Sequence, residues 1–286
     1  MTRAKLETVD DRPALRLERR LAHSPEKVWH AITDPAELAH WFPATVEAEL
    51  RPGGAIRFTF PGETESTTGE ILAADPPREF AFTWNADTLH WRITPDGEGS
   101  KLEFTHTFGR SEPAIARLAA GRNAAGWDVC LDALIARLAG ESFEQPSQWH
   151  DRMASYLEEF GLDEGEIVGG RTIRFRRDLV WKPLDDVWPL LEADGEVTVD
   201  EPPHVLESVG PQGKVRWELT HDPLDGVRVE LTQNVPDDVE LPTELARRHE
   251  QMAALFAKTH GVDVEPWSAD RVEAAKKHYA ERQTQG

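Results

Sequence analysis

Residues 79–108 read EFAFTWNADTLHWRITPDGEGSKLEFTHTF and contain three runs in which a large side chain stands at every second position. These runs are Phe80, Phe82 and Trp84; Leu89, Trp91 and Ile93; and Leu102, Phe104, His106 and Phe108. A period of two predicts β-strands that turn one face inward. An antiparallel sheet with one aromatic-rich face needs a cover that keeps this face out of water.

The segment 112–139 is the long element that can supply this cover. Its apolar stripe has helical spacing and is formed by Ile115, Leu118, Trp127, Leu131, Leu134, Ile135 and Leu138. Upstream, the patterns over residues 15–21, 56–60 and 69–72 predict further strands, and prolines after Ser24 and Asp34 predict two short helices. We therefore predict an α+β fold in which a curved antiparallel sheet of six or seven strands wraps on a long C-terminal helix.

Several landmarks of the first half return in the second half in the same order. The sequence LERRL at residues 17–21 precedes Pro25 and Val28-Trp29, and FRRDL at residues 175–179 precedes Pro183 and Val187-Trp188. A second pair of landmarks consists of Pro76-Pro77 before Trp91 and Pro202-Pro203 before Trp217, with identical spacing. This order predicts a tandem of two related domains. The second is shortened, because it lacks the stretch that carries a short helix and two strands in the first.

Four segments follow from this pattern. We predict a first domain over residues 12–142 and a shortened repeat over residues 171–262. Between them, residues 143–170 are interpreted as a linker with an amphipathic helix over 149–160 and an acidic, glycine-rich hinge over 161–170. Residues 263–286 are predicted to form a polar C-terminal helix or tail.

The composition restricts the partners that we expect. The 286 residues carry a net charge of −20, which disfavours nucleic acid because phosphate backbones are bound by clustered Lys and Arg. No apolar run reaches the roughly 18–20 residues of a membrane span, and the N-terminus lacks the apolar core of a signal peptide. We therefore expect no membrane insertion. With its single cysteine, Cys130, the chain suits a reducing compartment, and we expect it in the cytoplasm.

The first half also resembles a known family. The matching landmarks are Ser24-Pro25-Glu26, Val28-Trp29, Trp41, Arg51-Pro52-Gly53-Gly54, Gly69-Glu70-Ile71, Pro76-Pro77-Arg78, Phe82-Thr83-Trp84, Leu102, Phe104-Thr105-His106 and Gly126-Trp127. In this order they resemble the AHSA-type family, bacterial homologues of the C-terminal domain of a heat-shock chaperone's ATPase activator, within the START-like or SRPBCC superfamily. The resemblance implies a helix-grip fold with a cavity between the sheet and the long helix. The second half resembles the same fold only weakly.

The resemblance further implies that this cavity binds a hydrophobic or amphipathic small molecule, with no cofactor. The candidate ligand-binding residues are Trp41, Phe58, Phe82, Trp84, Trp91, Phe104, His106 and Trp127. Each aromatic residue could equally be core filling, because aromatic side chains bury large areas wherever they lie.

Two other functions stay open on the sequence alone. A cyclase, aromatase or hydrolase could use His106 as a general base together with a cavity carboxylate such as Glu70, although His106 could also be a core histidine with a hydrogen-bond partner. A chaperone-associated or regulatory interaction module would be favoured by an exposed apolar patch on the outer sheet face. The second domain could be structural or support a homodimer.

Neither a catalytic nor a metal-binding motif is recognisable. His30 and His40 belong to no recognisable metal-ligand pattern, so we predict no metal site. The nucleophile elbow of α/β-hydrolases is missing as well. We interpret Cys130 as a small hydrophobic residue of the long helix.

Overall fold

The computed structural model describes residues 3–109, 112–147, 149–223, 226–263 and 269–283. The chain divides into two compact units, Met1–Trp149 and His150–Gly286. Each unit contains one antiparallel sheet and its own helices.

The described residues of the first unit form a sheet of eight antiparallel strands in the order β1-β2-β8-β7-β6-β5-β4-β3. The strands are β1 (Lys5–Val9), β2 (Arg12–Leu21), β3 (Thr45–Ala48), β4 (Ala55–Thr59), β5 (Thr67–Asp75), β6 (Glu79–Trp84), β7 (Asp87–Asp96) and β8 (Gly99–Thr107). The three alternating runs within residues 79–108 form β6, β7 and β8. They are neighbours in the sheet, and Trp91 of β7 pairs with Phe104 of β8.

Four helices complete the first unit: α1 (Pro25–Thr33), α2 (Pro35–Leu38), α3 (Pro113–Leu118) and α4 (Ala120–Ala139). The start of α1 is capped by Ser24, whose hydroxyl accepts a hydrogen bond from the Lys27 amide. Asp34 caps α2 in the same way. At its other end α4 stops at Gly140, which adopts the left-handed conformation that glycine tolerates best. The predicted fold class, a curved sheet on a long helix, is therefore confirmed.

Two details of the predicted first domain were wrong. The sheet contains β1 and β3 in addition to the predicted strands, and β1 begins before the predicted boundary at residue 12. Almost every residue of β1 is exposed, so it has no apolar face to give an alternating pattern. The segment 112–139 is also two helices instead of one, because the chain turns at Ala119.

In the second unit, the described residues form a sheet of six antiparallel strands in the order β11-β12-β13-β14-β10-β9. The strands are β9 (Glu166–Gly169), β10 (Thr172–Asp178), β11 (Glu196–Glu201), β12 (Val205–Gly210), β13 (Gly213–Asp222) and β14 (Gly226–Asn234). The helices are α5 (Trp149–Glu159), α6 (Leu184–Val187), α7 (Leu241–Thr259) and α8 (Ala269–Gln283), with a short 3-10 turn at Trp188–Leu190. Part of the predicted hinge at 161–170 is a strand, so that prediction was wrong over Glu166–Gly169.

The two sheets share a strand order over six strands. Starting from the N-terminal edge, the first sheet runs β1, β2, β8, β7, β6, β5 and the second runs β9, β10, β14, β13, β12, β11. The pairing register also agrees, because Leu17 faces Phe104 in the first unit and Phe175 faces Leu231 in the second. Between the 3-10 turn and β11 the described chain has no counterpart of α2, β3 and β4. None of the helices in the described part of the chain is long and apolar enough to cross a membrane.

Candidate functional site

The structure brings the predicted aromatic residues together on the inner face of the first sheet. Trp91 and Phe104 stack with ring centroids 4.0 Å apart, and Trp127 of α4 lies 4.4 Å from Phe104. Phe58 and Trp84 also stack, with ring centroids 5.1 Å apart. Trp84 is half-buried, and the other seven candidate residues are buried.

Phe42 is a member of this cluster that the sequence argument missed. Its ring centroid lies 5.9 Å from Phe58, 5.9 Å from Trp84 and 6.0 Å from Trp127. Phe42 stands between α2 and β3, in a segment without regular structure. No periodic pattern includes it, so the only sequence signal was its position directly after Trp41.

The interior of the cluster is closely packed. The space that remains there measures about 10 Å³, and a single water molecule needs roughly 10–15 Å³. This space is lined by Ile32, Leu38, Trp41, Phe42, Val46, Ile56, Phe58, Phe80, Phe82 and Trp91. In the observed conformation the interior therefore has no room for a ligand, and the role of these side chains in binding stays a prediction.

A much larger space lies on the outer side of Trp41 and Phe42. It is a groove of about 500 Å³ between α4 and the segment 39–43, and residues 141–145 border its end. Its lining consists of Ala39, His40, Trp41, Phe42, Pro43, Val129, Cys130, Ala133, Arg137, Glu141, Ser142, Phe143 and Gln145. Trp41 and Phe42 line both spaces, so these two side chains form the wall between the groove and the aromatic interior.

One ion pair crosses this region from α4 to α2. The guanidinium of Arg137 donates two hydrogen bonds of 2.9 Å to the Glu37 carboxylate. These bonds lower the pKa of Glu37, because they favour its charged form. The groove therefore has a cation on its lining whose charge is already matched by a carboxylate.

His106 has a hydrogen-bond partner at each ring nitrogen. Its Nδ1 accepts from the Trp127 indole N–H at 3.0 Å, which places the ring proton on Nε2. The Nε2 then donates to Asp87 Oδ2 at 2.9 Å. His106 is buried, so neither nitrogen offers a lone pair to a substrate. This arrangement corresponds to the core-histidine alternative.

Glu70 does not meet His106. Glu70 is exposed on β5, whereas the next residue, Ile71, is fully buried; successive residues of a strand point to opposite faces. The carboxylate beside His106 is instead Asp87, which also accepts a hydrogen bond from the Gly109 amide at 2.8 Å. Asp87, the first residue of β7, is in phase with Leu89, Trp91 and Ile93. It was missed because the search followed only the apolar members of that alternation.

Cys130 lines the groove but is a weak nucleophile. Burial raises the pKa of its thiol to about 12, since the thiolate would lose its hydration. It is the single cysteine of the chain. A thiol reagent therefore reports on this groove alone.

A buried ion pair links the first sheet to α4. Arg19 of β2 is buried and its Nη2 donates to Asp128 Oδ1 at 2.6 Å. The sequence carries a signal for it that was missed: Arg19 occupies an inward position between Leu17 and Leu21 on an alternating strand. In the second unit Arg177 of β10 is likewise buried between Phe175 and Leu179.

The second unit has a different, polar interior where the first has His106 and Trp127. Gln233 takes the place of His106 in the strand pairing, and its side-chain oxygen accepts from buried Arg248 of α7 at 2.8 Å. Burial lowers the pKa of Arg248 to about 10. Lys258, ten residues after Arg248 on α7, pairs with Glu192 at 3.2 Å. In the first unit Arg137, ten residues after Trp127 on α4, pairs with Glu37.

The matching pocket of the second unit is small. It measures about 40 Å³ and lies against Trp217, which pairs across the sheet with Leu231 as Trp91 pairs with Phe104. Its lining is Leu190, Glu192, Trp217, Gln251, Ala254, Leu255 and Lys258. Among the described residues of the chain, no group of three or more His, Cys, Asp or Glu is arranged to hold a metal ion.

The first unit is thus a helix-grip domain of the α+β class: a curved antiparallel sheet packs its aromatic face on a long C-terminal helix. Residues 22–139, less than half of the chain, match the family model described as Activator of Hsp90 ATPase homolog 1-like protein. This domain therefore belongs to the AHSA1 family. The second unit lies outside the match.

Individual proteins resemble parts of the chain. FK506-binding protein 2 of Aspergillus fumigatus is 34% identical over 103 residues, which are 34% of this chain and 66% of that relative. A conserved protein of unknown function from Enterococcus faecalis has 19% identity and a TM-score of 0.48, covering 55% of this chain and 90% of its own. CalU16 from Micromonospora echinospora has 21% identity and a TM-score of 0.42, covering 55% of this chain and 93% of its own.

Proposed function

We propose that the first unit binds a hydrophobic or amphipathic small molecule, non-catalytically, in the groove between α4 and residues 39–43. The observation that carries this proposal is the groove of about 500 Å³ whose inner wall, Trp41 and Phe42, belongs to the aromatic cluster. Ligand pockets in proteins typically measure about 300–1,000 Å³ and have mainly apolar walls. The groove has the size for this role; its lining is more polar than that of a typical ligand pocket, and Trp41, Phe42 and Phe143 supply aromatic contact.

The chemistry of the lining favours an uncharged ligand. Val129, Ala133 and Phe143 offer apolar contact, and His40, Ser142 and Gln145 offer polar groups along the lining. The charge of Arg137 is already balanced by Glu37, so an anionic head group would have to compete with that carboxylate. We therefore propose an apolar body with a neutral polar end, such as a hydroxyl or a carbonyl.

The two alternative functions have less support. An enzyme that uses His106 would need a free imidazole nitrogen, and both nitrogens have partners. An interaction module would need an apolar outer face on the sheet, but polar contacts occupy it, such as the Arg16–Glu103 ion pair and the His90–Glu79 hydrogen bond, each at 2.7 Å. Single exposed residues such as Leu72 do not make a patch.

For the second unit we propose a structural role as a shortened, diverged copy of the first. The shared strand order and the agreeing strand register support common descent. Its pocket of about 40 Å³ is too small for the proposed ligand class. We also propose that the protein is cytoplasmic and that the second unit supports a homodimer.

The test uses Cys130 as a reporter. Nile red, a neutral fluorescent hydrophobe, should bind the protein and slow the reaction of Cys130 with a maleimide. An Ala133→Trp variant fills the groove and should lose both effects. Ala139→Trp, on the exposed end of the same helix, is the matched control and should keep them. Binding that survives Ala133→Trp, or that leaves Cys130 unprotected, would overturn the proposed site.

A further inference from the structure

The side chain of Phe42 separates two spaces of very different size. On its inner side lies the packed aromatic interior, with about 10 Å³ of free space. On its outer side lies the groove of about 500 Å³. A ligand held in the groove therefore reaches the interior only where this wall gives way.

Trp41, the other residue of the wall, is held in place by a polar contact. Its indole N–H donates to the Ala31 carbonyl of α1 at 2.9 Å, in a buried position. Moving this ring would leave a buried donor without its acceptor, which is unfavourable. Trp41 therefore forms the fixed part of the wall.

Phe42 has no such anchor on its side chain. It is 8% exposed and contacts four rings at centroid distances of 5.7–6.0 Å, edge-on to Trp41 and tilted against Phe58, Trp84 and Trp127. Its backbone is fixed, because its amide donates to the Leu38 carbonyl at 2.8 Å. The groove beside Phe42 offers free volume for the ring to turn into while the segment stays in place.

We propose that Phe42 is the gate residue of the site: its ring swings away from the interior, and the inner end of the ligand takes the volume that the ring held. This proposal rests on the proposed ligand-binding function of the groove. It adds that the volume of the Phe42 ring limits the size of the ligand's inner end. A ligand that displaces Phe42 contacts Phe58, Trp84 and Trp127 directly. The gate favours a flat, apolar end group, because a flat ring matches the shape that Phe42 leaves.

The test compares two phenylalanine truncations. Phe42→Ala removes the gate, whereas Phe82→Ala enlarges the same interior without touching the groove, since Phe82 lines only the inner space. Nile red should associate with Phe42→Ala at least tenfold faster than with the wild type in stopped-flow fluorescence. Phe82→Ala should keep the wild-type rate. If Phe42→Ala does not fold, Phe42→Leu replaces it in the experiment. Phe42→Leu should also bind Nile red faster than the wild type, but by a smaller factor.

The outcomes separate the gate from the binding site itself. Equal rates for Phe42→Ala, Phe42→Leu and the wild type, while Ala133→Trp still abolishes binding, would overturn the gate and leave the groove as the site. Equal acceleration by Phe82→Ala would also overturn it, because cavity size alone would then set the rate. If Nile red binds none of these proteins, the proposed function fails and the gate fails with it.

Discussion

Replacing Asp128 with alanine should destabilise the first unit by about 3–5 kcal/mol, because Arg19 then stays buried without this carboxylate. The side chain of Arg19 is 4% exposed and that of Asp128 is 12% exposed. They meet at 2.6 Å, with Arg19 Nη1 also donating to the Glu18 carbonyl at 3.0 Å. Little water reaches the pair, so solvent cannot replace the lost carboxylate.

Hydrogen exchange measured by mass spectrometry localises the effect. At about 1.36 kcal/mol per factor of ten, a loss of about 3–5 kcal/mol corresponds to amide exchange that is roughly 150- to 5,000-fold faster. The faster exchange should appear in peptides of β2, β8 and α4. Arg16→Met is the matched control: it breaks the Arg16–Glu103 pair, in which Arg16 is 48% exposed, and should cost at most about 1 kcal/mol.

A double replacement tests the cause. Arg19→Met with Asp128→Leu removes both charges and should recover most of the lost stability, because an apolar pair can replace a buried ion pair. Equal exchange rates for Asp128→Ala and Arg16→Met would refute the reasoning. So would a double variant as unstable as Asp128→Ala, since the uncompensated charge would then not be the cause.

Three further changes have defined outcomes. Cys130, with its pKa raised to about 12, should react slowly with a maleimide at pH 7 and keep accelerating above pH 9, where a thiol with the ordinary value of 9.0 levels off. Phe104→Ala should cost about 3–5 kcal/mol in urea unfolding, because its ring stacks at 4.0 Å on Trp91; a cost near zero would contradict the packed interior. Tyr279→Phe removes a hydroxyl that accepts from the Gly165 amide at 2.8 Å, and should cost about 1–3 kcal/mol. The pKa of Tyr279 is about 12 in the folded protein, against 10.0 for an ordinary tyrosine. The stability that its protonated hydroxyl contributes is therefore complete below pH 10 and is lost as the pH rises towards 12. A series of unfolding curves across this pH range measures that loss.

The central strands could be predicted from the sequence because their pattern is local. Large side chains recur at every second position: Trp91 and Phe104 have polar neighbours, and Phe80 and Phe82 have the small Ala81 between them. All four aromatic residues are buried as predicted. Strands β1 and β3 could not be predicted in this way. β1 is almost wholly exposed and β3 has four residues, so the sheet itself, through hydrogen bonds to β2 and β4, determines that they are strands.

The functional features depend on contacts between residues far apart in the chain. Asp128 meets Arg19 across more than a hundred residues, and the groove needs α4, the segment 39–43 and residues 141–145 together. The sequence predicted which aromatic residues cluster but left open whether they line a cavity or fill it. Phe42 completes the cluster, and no local pattern in the sequence places it there.

The most direct test of the account is native mass spectrometry of the freshly purified protein, followed by solvent extraction of anything it retains. We expect a retained apolar molecule in the wild type and in Ala139→Trp, and its loss in Ala133→Trp. A bare protein mass in all three, with no member of a hydrophobic panel slowing the reaction of Cys130, would contradict the claim that the groove is a ligand-binding site.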